Sequence, residues 1–214
     1  MNINFAEYSA SERYHLMTQT VIPRPIAWAL TESVIDNDSV LNLAPFSYFT
    51  AVSSDPALLM LSVGKKPTCE NKDTLSNVLE NKKMVIHIPC AKQATAVTQS
   101  AATLAHGESE LDAINSHAPD NVLTTVDFEG FQLPRLKECD IAFACDLFEV
   151  KYLDNTSQAL IFVEIKHIYL NEDITSMDDK LRLKVHAEKV HPLARLGANE
   201  YAGITEPFVV QRPK

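Results

Sequence analysis

The 214-residue sequence has few basic residues relative to acidic ones, with 19 Lys and Arg, 28 Asp and Glu, and a formal net charge of -9 at pH 7. Sequence-independent nucleic-acid binding depends on Lys and Arg side chains that neutralise phosphates, so this balance argues against it. No run approaches the ~20 apolar residues of a membrane span, and the N-terminus lacks the layout of a signal peptide. We expect a cytoplasmic protein with no nucleic-acid and no membrane partner.

Glycine is also scarce, with five residues in the chain and no G-x-G-x-x-G motif, which disfavours a parallel doubly wound fold. The four cysteines, Cys69, Cys90, Cys139 and Cys145, contain no C-x-x-C pair. We therefore expect no zinc site and, in a reducing compartment, free thiols. Because H-E-x-x-H and G-x-S-x-G are both absent, the sequence favours neither a metal site nor a serine hydrolase.

What the chain does contain is mostly of β type. Residues 21–31 are rich in β-formers after two prolines and predict an edge or entering strand. The polar stretch 36–38 predicts a hairpin turn, after which residues 40–53 return as an antiparallel partner. Residues 57–63 are short and apolar, as in a buried strand, and residues 73–83 predict a helix capped by its first Asp or Thr.

The second half of the chain continues this pattern. Residues 84–88, 141–153 and 159–170 predict strands, residues 89–104 have helix-forming composition, and residues 110–114 suggest a further short turn of helix. Residues 106–134 are polar and irregular, as in a surface excursion. Since the strands flank the helices without alternating regularly with them, we predict a mainly β protein with added helices (α+β), built on an antiparallel barrel.

The tripeptide Lys72-Asp73-Thr74 stands where the predicted helix begins. A phosphate there would receive N-H groups of the first helical turn, the Thr74 hydroxyl and the charge of Lys72. Asp73 is better suited to capping, with its carboxylate turned away from the anion. A capped surface helix without a ligand is the alternative interpretation.

A second candidate element lies just before it. Asn42, Ser47 and Thr50 offer hydrogen-bonding groups, and Tyr48 and Phe49 offer flat apolar surface, as the ring of a flavin requires. A core strand with aromatic packing would show the same residues. Taken together, the two elements predict a site for a phosphorylated ring cofactor, and the lack of an acid-base pair agrees with a flavin enzyme, whose hydride chemistry resides on the cofactor.

Two further residues belong to this interpretation. Pro45 within the strand implies an irregular, partly unpaired backbone that a ring can contact. Arg24, between two prolines, is a cation on a stiff backbone, suited either to a phosphate or to an exposed salt bridge.

Several short motifs occur in a characteristic order: Ile-Pro-Arg-Pro-Ile-Ala-Trp at 22–28, Asn-Leu-Ala-Pro-Phe-Ser-Tyr-Phe at 42–49, Ser-Ser-Asp-Pro at 53–56, Ser-Val-Gly at 62–64 and Lys-Asp-Thr at 72–74. A later stretch, His-Pro-Leu-Ala-Arg-Leu-Gly at 191–197, is followed by Tyr201. This ordered set closely resembles the flavin reductase-like, FMN-binding split-barrel family, over roughly residues 23–201.

The resemblance implies one split-barrel domain over residues 1–214, with a helical or irregular excursion at about 90–138 and a closing segment at about 180–214. It further implies a homodimer with FMN in a groove near the subunit interface. No residue is assigned as catalytic and none as a metal ligand. The cofactor-binding residues that it implies are Arg24, Asn42, Ala44, Pro45, Ser47, Tyr48, Phe49, Thr50, Ser62, Val63, Gly64, Lys72, Asp73, Thr74, Arg195 and Tyr201.

The activity implied is an FMN-dependent oxidoreductase that takes hydride from NADH or NADPH and passes electrons to free flavin, oxygen, a quinone or a partner monooxygenase. A non-catalytic FMN-binding or carrier module and an unliganded structural protein are the alternatives. The chain departs from the family at Glu70, where basic or glycine residues often occur, and this carboxylate is expected to weaken phosphate binding.

Overall fold

The computed structural model describes residues 1–105, 107–117, 122–211 and 213. His106 and residues 118–121, which belong to the predicted excursion, lie outside the described residues. The strands are β1 (Arg24–Pro25), β2 (Ala27–Ile35), β3 (Asp38–Phe46), β4 (Phe49–Ser54), β5 (Ala57–Val63), β6 (Lys83–His87), β7 (Thr125–Val126), β8 (Arg135–Leu136), β9 (Ile141–Tyr152), β10 (Ala159–Leu170), β11 (Thr175–Met177), β12 (Leu183–Val185), β13 (Ala194–Arg195) and β14 (Tyr201–Ala202). The α-helices are α1 (Ala10–Thr20), α2 (Asp73–Asn81), α3 (Ala94–Gln99), α4 (Glu110–His117) and α5 (Ala187–Val190), and short 3-10 turns cover Phe5–Glu7, Ala91–Gln93 and Glu172–Ile174.

Seven of these strands form one antiparallel sheet in the order β3-β2-β6-β9-β10-β5-β4. A second, three-stranded sheet joins β1 to the closing segment in the order β1-β13-β14. The strands β3 and β4 form the two ends of the large sheet. The prediction of a mainly β, antiparallel architecture is therefore confirmed.

The hairpin between β2 and β3 is also confirmed, although the returning strand ends at Phe46 and residues 49–53 belong to β4, at the other end of the sheet. Ile35 pairs with Asp38, and the two residues between them, Asp36 and Asn37, have φ of 52° and 73°. A two-residue hairpin turn of type I′ needs positive φ at both positions, and Asn and Asp tolerate it better than most residues do. The turn therefore forms without the glycine that commonly occupies it.

The prediction of an edge or entering strand at 21–31 is met only by β1, which lies at the end of the three-stranded sheet, and is wrong for β2. The prolines at 23 and 25 lie before or within the short β1, whereas β2 is an inner strand that pairs with both β3 and β6. Ala27 and Ala29 face one hydrophobic cluster, and Trp28 and Leu30 face the other. Burial on both faces agrees with the position of β2 as an inner strand, second from the β3 end of the sheet.

The helices pack on both faces of the sheet, against the two hydrophobic clusters. Leu75 and Val78 of α2 pack against the face that carries Ala27 and Ala29. Val97 of α3 packs against the opposite face, together with residues of α4. The helical prediction for 89–104 is thus met only in part, by a 3-10 turn and the short α3.

A buried hydrogen bond fixes the chain after α3. Trp28 Nε1 donates to Ser100 Oγ over 2.8 Å, and Ser100 Oγ donates to the Val97 carbonyl. This bond anchors residues 100–104 to the sheet. Across the described part of the chain, we find no helix with both the length and the apolar character needed to cross a membrane.

Candidate functional site

The N-terminus of α2 carries two lysines. Lys72 is the N-cap residue and makes no side-chain capping bond, so the prediction that Asp73 or Thr74 caps the helix is wrong. Asp73 is the first helical residue, and its carboxylate pairs with Lys66 Nζ at 2.8 Å. Lys72 Nζ lies over the Phe46 ring, 5.8 Å from its centroid. A helix start with neighbouring cations suits an anion.

Thr74 opens a buried polar network that connects α2 to the sheet. Its Oγ1 donates to Asn42 Oδ1 over 3.0 Å, and the same oxygen accepts a bond from Thr31 Oγ1. Asn77 Nδ2 donates in turn to Thr31 Oγ1, and Asn42 Nδ2 donates to Glu110 Oε2 over 2.8 Å. All five side chains are buried. The sequence predicts that the Thr74 hydroxyl binds a phosphate, but in the structure this hydroxyl donates its hydrogen bond to Asn42.

Glu110 is a functional candidate that sequence reasoning missed. It is 5% exposed, and its Oε2 accepts bonds from Asn42 Nδ2 and from the Leu43 backbone N-H. Burial is the main cause that raises the pKa of this carboxyl, and the charge of Asp73 raises it further. The sequence marks Glu110 only as the start of a short helix; its position beside β3 depends on the fold.

The contact between α4 and β3 explains that position. As an end strand, β3 has backbone groups on its open side that a neighbouring strand would otherwise satisfy. Ser109 Oγ donates to the Leu41 carbonyl over 2.7 Å, and the Glu110 carboxylate accepts the Leu43 N-H. Farther along the same strand, Pro45 has no N-H to satisfy. This edge is therefore covered at Leu41 and Leu43 and is open at Pro45.

Two adjoining cavities lie along the part of β3 that α4 leaves uncovered. The inner one, of about 70 Å³, is lined by Asn42, Ala44, Pro45, Phe46, Lys66, Lys72, Asp73, Thr74, Ser100, Ala101, Ala102, Thr103, Leu104 and Glu110. The outer one, of about 370 Å³, is lined by Tyr14, Ile26, Pro45, Ser47, Val97, Thr98, Ala101, Arg195, Asn199 and Tyr201. Since Pro45 and Ala101 line both, the two cavities form one surface feature, which we call the β3 groove.

The outer end of the β3 groove is formed by the closing segment. The Arg195 guanidinium lies 4.5 Å from the centroid of the Tyr201 ring and donates to the Ala198 carbonyl. The Tyr201 hydroxyl shares a 2.9 Å hydrogen bond with Thr98 Oγ1, across the groove. This end therefore offers a cation and an aromatic face, at least 123 residues away in sequence from the lysines at the inner end.

Arg24 has a different environment from the one that its sequence context indicates. It is 5% exposed, and its guanidinium donates to the carbonyls of Thr18, Val21 and Leu196, each over 2.7 Å. Its Nε also donates weakly to Ser47 Oγ, at 3.4 Å. Arg24 thus holds the end of α1 against the closing segment and lines neither cavity.

The remaining predicted residues lie beside the groove. Tyr48 is half-buried, and burial raises the pKa of its hydroxyl. Thr50 is exposed on β4, Ser62 Oγ donates to Gln158 Oε1 over 3.0 Å, and Val63 is fully buried in the core. The residues that line neither cavity are Arg24, Tyr48, Phe49, Thr50, Ser62, Val63 and Gly64. Those that the groove brings together are Asn42, Ala44, Pro45, Ser47, Lys72, Asp73, Thr74, Arg195 and Tyr201.

Comparison with known proteins agrees with this fold. The chain is 31% identical to nitrilotriacetate monooxygenase component B from Bacillus cereus, with a TM-score of 0.82 and 98% of each chain covered. It is 25% identical to 2-nitrobenzoate 2-nitroreductase NbaA from Pseudomonas fluorescens, with a TM-score of 0.82 over 100% of this chain and 96% of that one. A split-barrel protein from Shewanella frigidimarina shares the fold at 16% identity, with a TM-score of 0.81 and 100% of both chains covered.

The family itself is identified by sequence. Residues 18–191 match the flavin reductase like domain, which is most of the chain. The split-barrel neighbours share the same architecture. The chain therefore belongs to the flavin reductase-like family.

Proposed function

We propose that this protein binds FMN in the β3 groove and acts as an NADH- or NADPH-dependent flavin reductase. The observation that carries the proposal is the groove itself, which has two lysines at a helix N-terminus at one end and a guanidinium-aromatic pair at the other. Family membership makes flavin the cofactor to test, and similarity to a monooxygenase component B and to a nitroreductase supports an oxidoreductase role.

The donor set of the inner end fits a phosphate. Lys72 and Lys66 supply charge, and the first turn of α2 supplies backbone N-H groups that have no capping side chain from the N-cap residue. The Lys66 charge is shared with Asp73, so Lys72 is the main cationic contact. We assign phosphate binding to these residues and to the backbone, with Thr74 acting through Asn42.

The wider part of the groove fits a ring. Its outer cavity of about 370 Å³ lies within the range of ~300–1,000 Å³ typical of small-molecule sites. Pro45 and Ala101 give it apolar walls, and Ser47, Asn199 and Tyr201 give it polar ones. When bound, FMN would supply hydride acceptance and delivery at its N5 atom. The residues of the chain then bind, orient and shield it from water.

The predicted contacts from the neighbouring strands belong to the same proposal. Ser62, Val63 and Gly64 would pass beside the ribityl chain, with Tyr48, Phe49 and Thr50 next to the ring. Arg24 supports the site indirectly, because it joins the closing segment, through the Leu196 carbonyl, to the end of α1.

The proposal also includes a single domain in each chain, assembly as a homodimer and a cytoplasmic location. The end strand β4 is exposed at Thr50–Ser54, and Tyr14 and Met17 of α1 are 62% and 43% exposed. Exposed apolar groups and an open strand edge are each typical of an interface, and the exposed face of α1 adjoins the groove at Tyr14. Electrons would pass to free flavin, oxygen, a quinone or a partner monooxygenase.

Anaerobic stopped-flow mixing tests the activity. Protein loaded with FMN is mixed with NADH and, separately, with NADPH while the visible flavin absorbance is followed. Bleaching with either nucleotide, faster than for free FMN, is the expected result. Retention of oxidised FMN with both nucleotides would support the non-catalytic carrier instead, and failure to retain FMN would support the unliganded structural protein.

A further inference from the structure

The inner end of the β3 groove contains four charged side chains: Lys66, Lys72, Asp73 and Glu110. Lys66 and Asp73 form an ion pair at 2.8 Å, so their charges largely offset each other. The balance at the phosphate position is therefore set by Lys72 and Glu110. An acidic residue at this position needs an explanation, because a bound phosphate would be repelled by it.

The hydrogen bonds of Glu110 show what the side chain does for the fold. Both bonds reach Oε2, from the Asn42 amide over 2.8 Å and from the Leu43 N-H over 3.1 Å. Both donors are neutral, and a glutamine oxygen would accept the same two bonds. The carboxylate charge is thus unnecessary for the position of β3, and the geometry and the charge of this residue can be varied separately.

Resting on the proposed FMN site, we infer that Glu110 is a positioning and specificity-determining residue. It fixes Asn42 and the β3 wall of the groove by its hydrogen bonds, and its charge limits how strongly the groove prefers FMN over riboflavin. An ionised Glu110 opposes the phosphate, whereas a protonated one leaves Lys72 unopposed.

The surroundings of Glu110 make this balance sensitive to pH. Among the described residues that line the inner cavity, the ionisable groups are Lys66, Lys72 and Asp73, from the loop and N-terminus of α2; β3 and residues 100–104 contribute none. On its own side of the groove, Glu108 is exposed and accepts a bond from the Ala105 N-H. Burial, with Asp73 as a smaller cause, raises the pKa of Glu110, so this carboxylate takes up a proton at a higher pH than an exposed glutamate does.

The test compares the affinities for FMN and riboflavin, measured by fluorescence titration. Glu110→Gln keeps both hydrogen bonds and removes the charge, Glu110→Ala removes both, and Glu108→Gln is the matched control. At about pH 8 we expect Glu110→Gln to bind FMN about tenfold more tightly than the wild type, with riboflavin affinity unchanged. Glu110→Ala should bind both flavins more weakly, and Glu108→Gln should match the wild type.

Two further measurements separate charge from structure. As the pH is lowered, the gap in FMN affinity between Glu110→Gln and the wild type should narrow as the wild-type carboxylate takes up a proton. Calorimetry in buffers of different ionisation enthalpy should show greater proton uptake on FMN binding for the wild type than for Glu110→Gln. The proton exchange of the FMN phosphate itself, whose second pKa is about 6, cancels in this comparison. Glu110→Ala is the uncharged reference if Glu110→Gln fails to fold.

Several results would overturn the inference. Equal changes for FMN and riboflavin in Glu110→Gln, or the same proton uptake on FMN binding in the wild type and in Glu110→Gln, would show that the charge does not act on the phosphate. If the wild type binds FMN and is reduced by NADH or NADPH in these cases, only the role of Glu110 is wrong. If the wild type binds neither flavin, the proposed function fails as well.

Discussion

Lowering the pH should destabilise this protein through His87, a histidine inside the sheet. The ring is fully buried on β6, and its two nitrogens have opposite roles. Nε2 accepts the Leu136 N-H over 2.9 Å, so Nδ1 carries the proton and donates to the Trp28 carbonyl over 3.1 Å. A second proton on Nε2 would break the bond from Leu136 and bury a charge.

The size of the effect follows from the two pKa values. Burial, as the largest cause, lowers the pKa of His87 from 6.5 to about 4. A lowered pKa means that the unfolded chain binds the proton more tightly, so the stabilisation is present above pH 6.5 and is lost as the pH falls towards 4. The loss attributable to this histidine is about 2 kcal/mol at about pH 5 and about 3 kcal/mol at about pH 4.

Urea unfolding across this range, with His87→Gln as the comparison, isolates the contribution. A glutamine amide can donate to the Trp28 carbonyl and accept from Leu136 without titrating. Its packing defect lowers the free energy of unfolding by the same amount at every pH, so the difference between the two proteins should shrink in acid by the amounts above. His117→Gln, at an exposed histidine, is the control. Parallel pH profiles for wild type and His87→Gln would refute the reasoning.

Three further predictions concern the groove, the thiols and the hairpin. Changing Lys66 and Lys72 together to Met should weaken FMN binding by about 2–4 kcal/mol and leave riboflavin binding nearly unchanged, with Lys151→Met as the control. Equal losses for the two flavins would show that the phosphate does not bind at these lysines. Iodoacetamide should label the exposed Cys69 in the native protein and spare Cys139, whose thiol pKa burial raises to about 12; native labelling of Cys139 in the mass spectrum would contradict this burial. Asn37→Val should lower the free energy of unfolding by about 1–2 kcal/mol because φ is 73° there, whereas Asn37→Gly should change it little; a harmless Val would show that the turn relaxes.

The elements that the sequence predicts well have signals contained within a few residues. Residues 57–63 form β5 with the predicted bounds, because a short apolar run between Pro56 and Gly64 leaves little choice. Residues 159–170 likewise form β10, and the polar dipeptide Asp36-Asn37 determines the hairpin. Each of these depends on local pattern and turn chemistry, which sequence alone contains.

The errors arise where tertiary contacts decide. Asp73 suits an N-cap by residue type, but pairing with Lys66 occupies its carboxylate and shifts the cap to Lys72. Trp28 and Leu30 lie after two prolines, which indicate an edge, but pairing with β6 makes their strand an inner one. In both cases a distant or neighbouring partner overrides a correct local preference.

The residues of the candidate site also fall into two groups, those that a local pattern identifies and those whose role depends on tertiary contacts. Lys72 and Pro45 can be recognised from the sequence, because each stands in a short motif that indicates its role. Lys72 is a cation at a helix start, and Pro45 is a proline within a strand. Glu110 is not, because the partner that gives it a role is Asn42, 68 residues earlier. Only the packing of α4 on the open side of β3 brings these two residues together.

The walls of the β3 groove are each held by a bond to another part of the fold. Glu110 and Thr74 hold Asn42 on the β3 wall, Trp28 holds Ser100 on the facing wall, and Arg24 holds Leu196 at the closing end. The donors and acceptors are oriented before any ligand arrives, so binding would require little further ordering of side chains. Because the bonds that orient these walls also connect them to the fold, substitutions that loosen a wall should reduce both stability and ligand affinity. Among the groove residues, only a change of charge that preserves the hydrogen bonds, as in Glu110→Gln, should alter affinity alone.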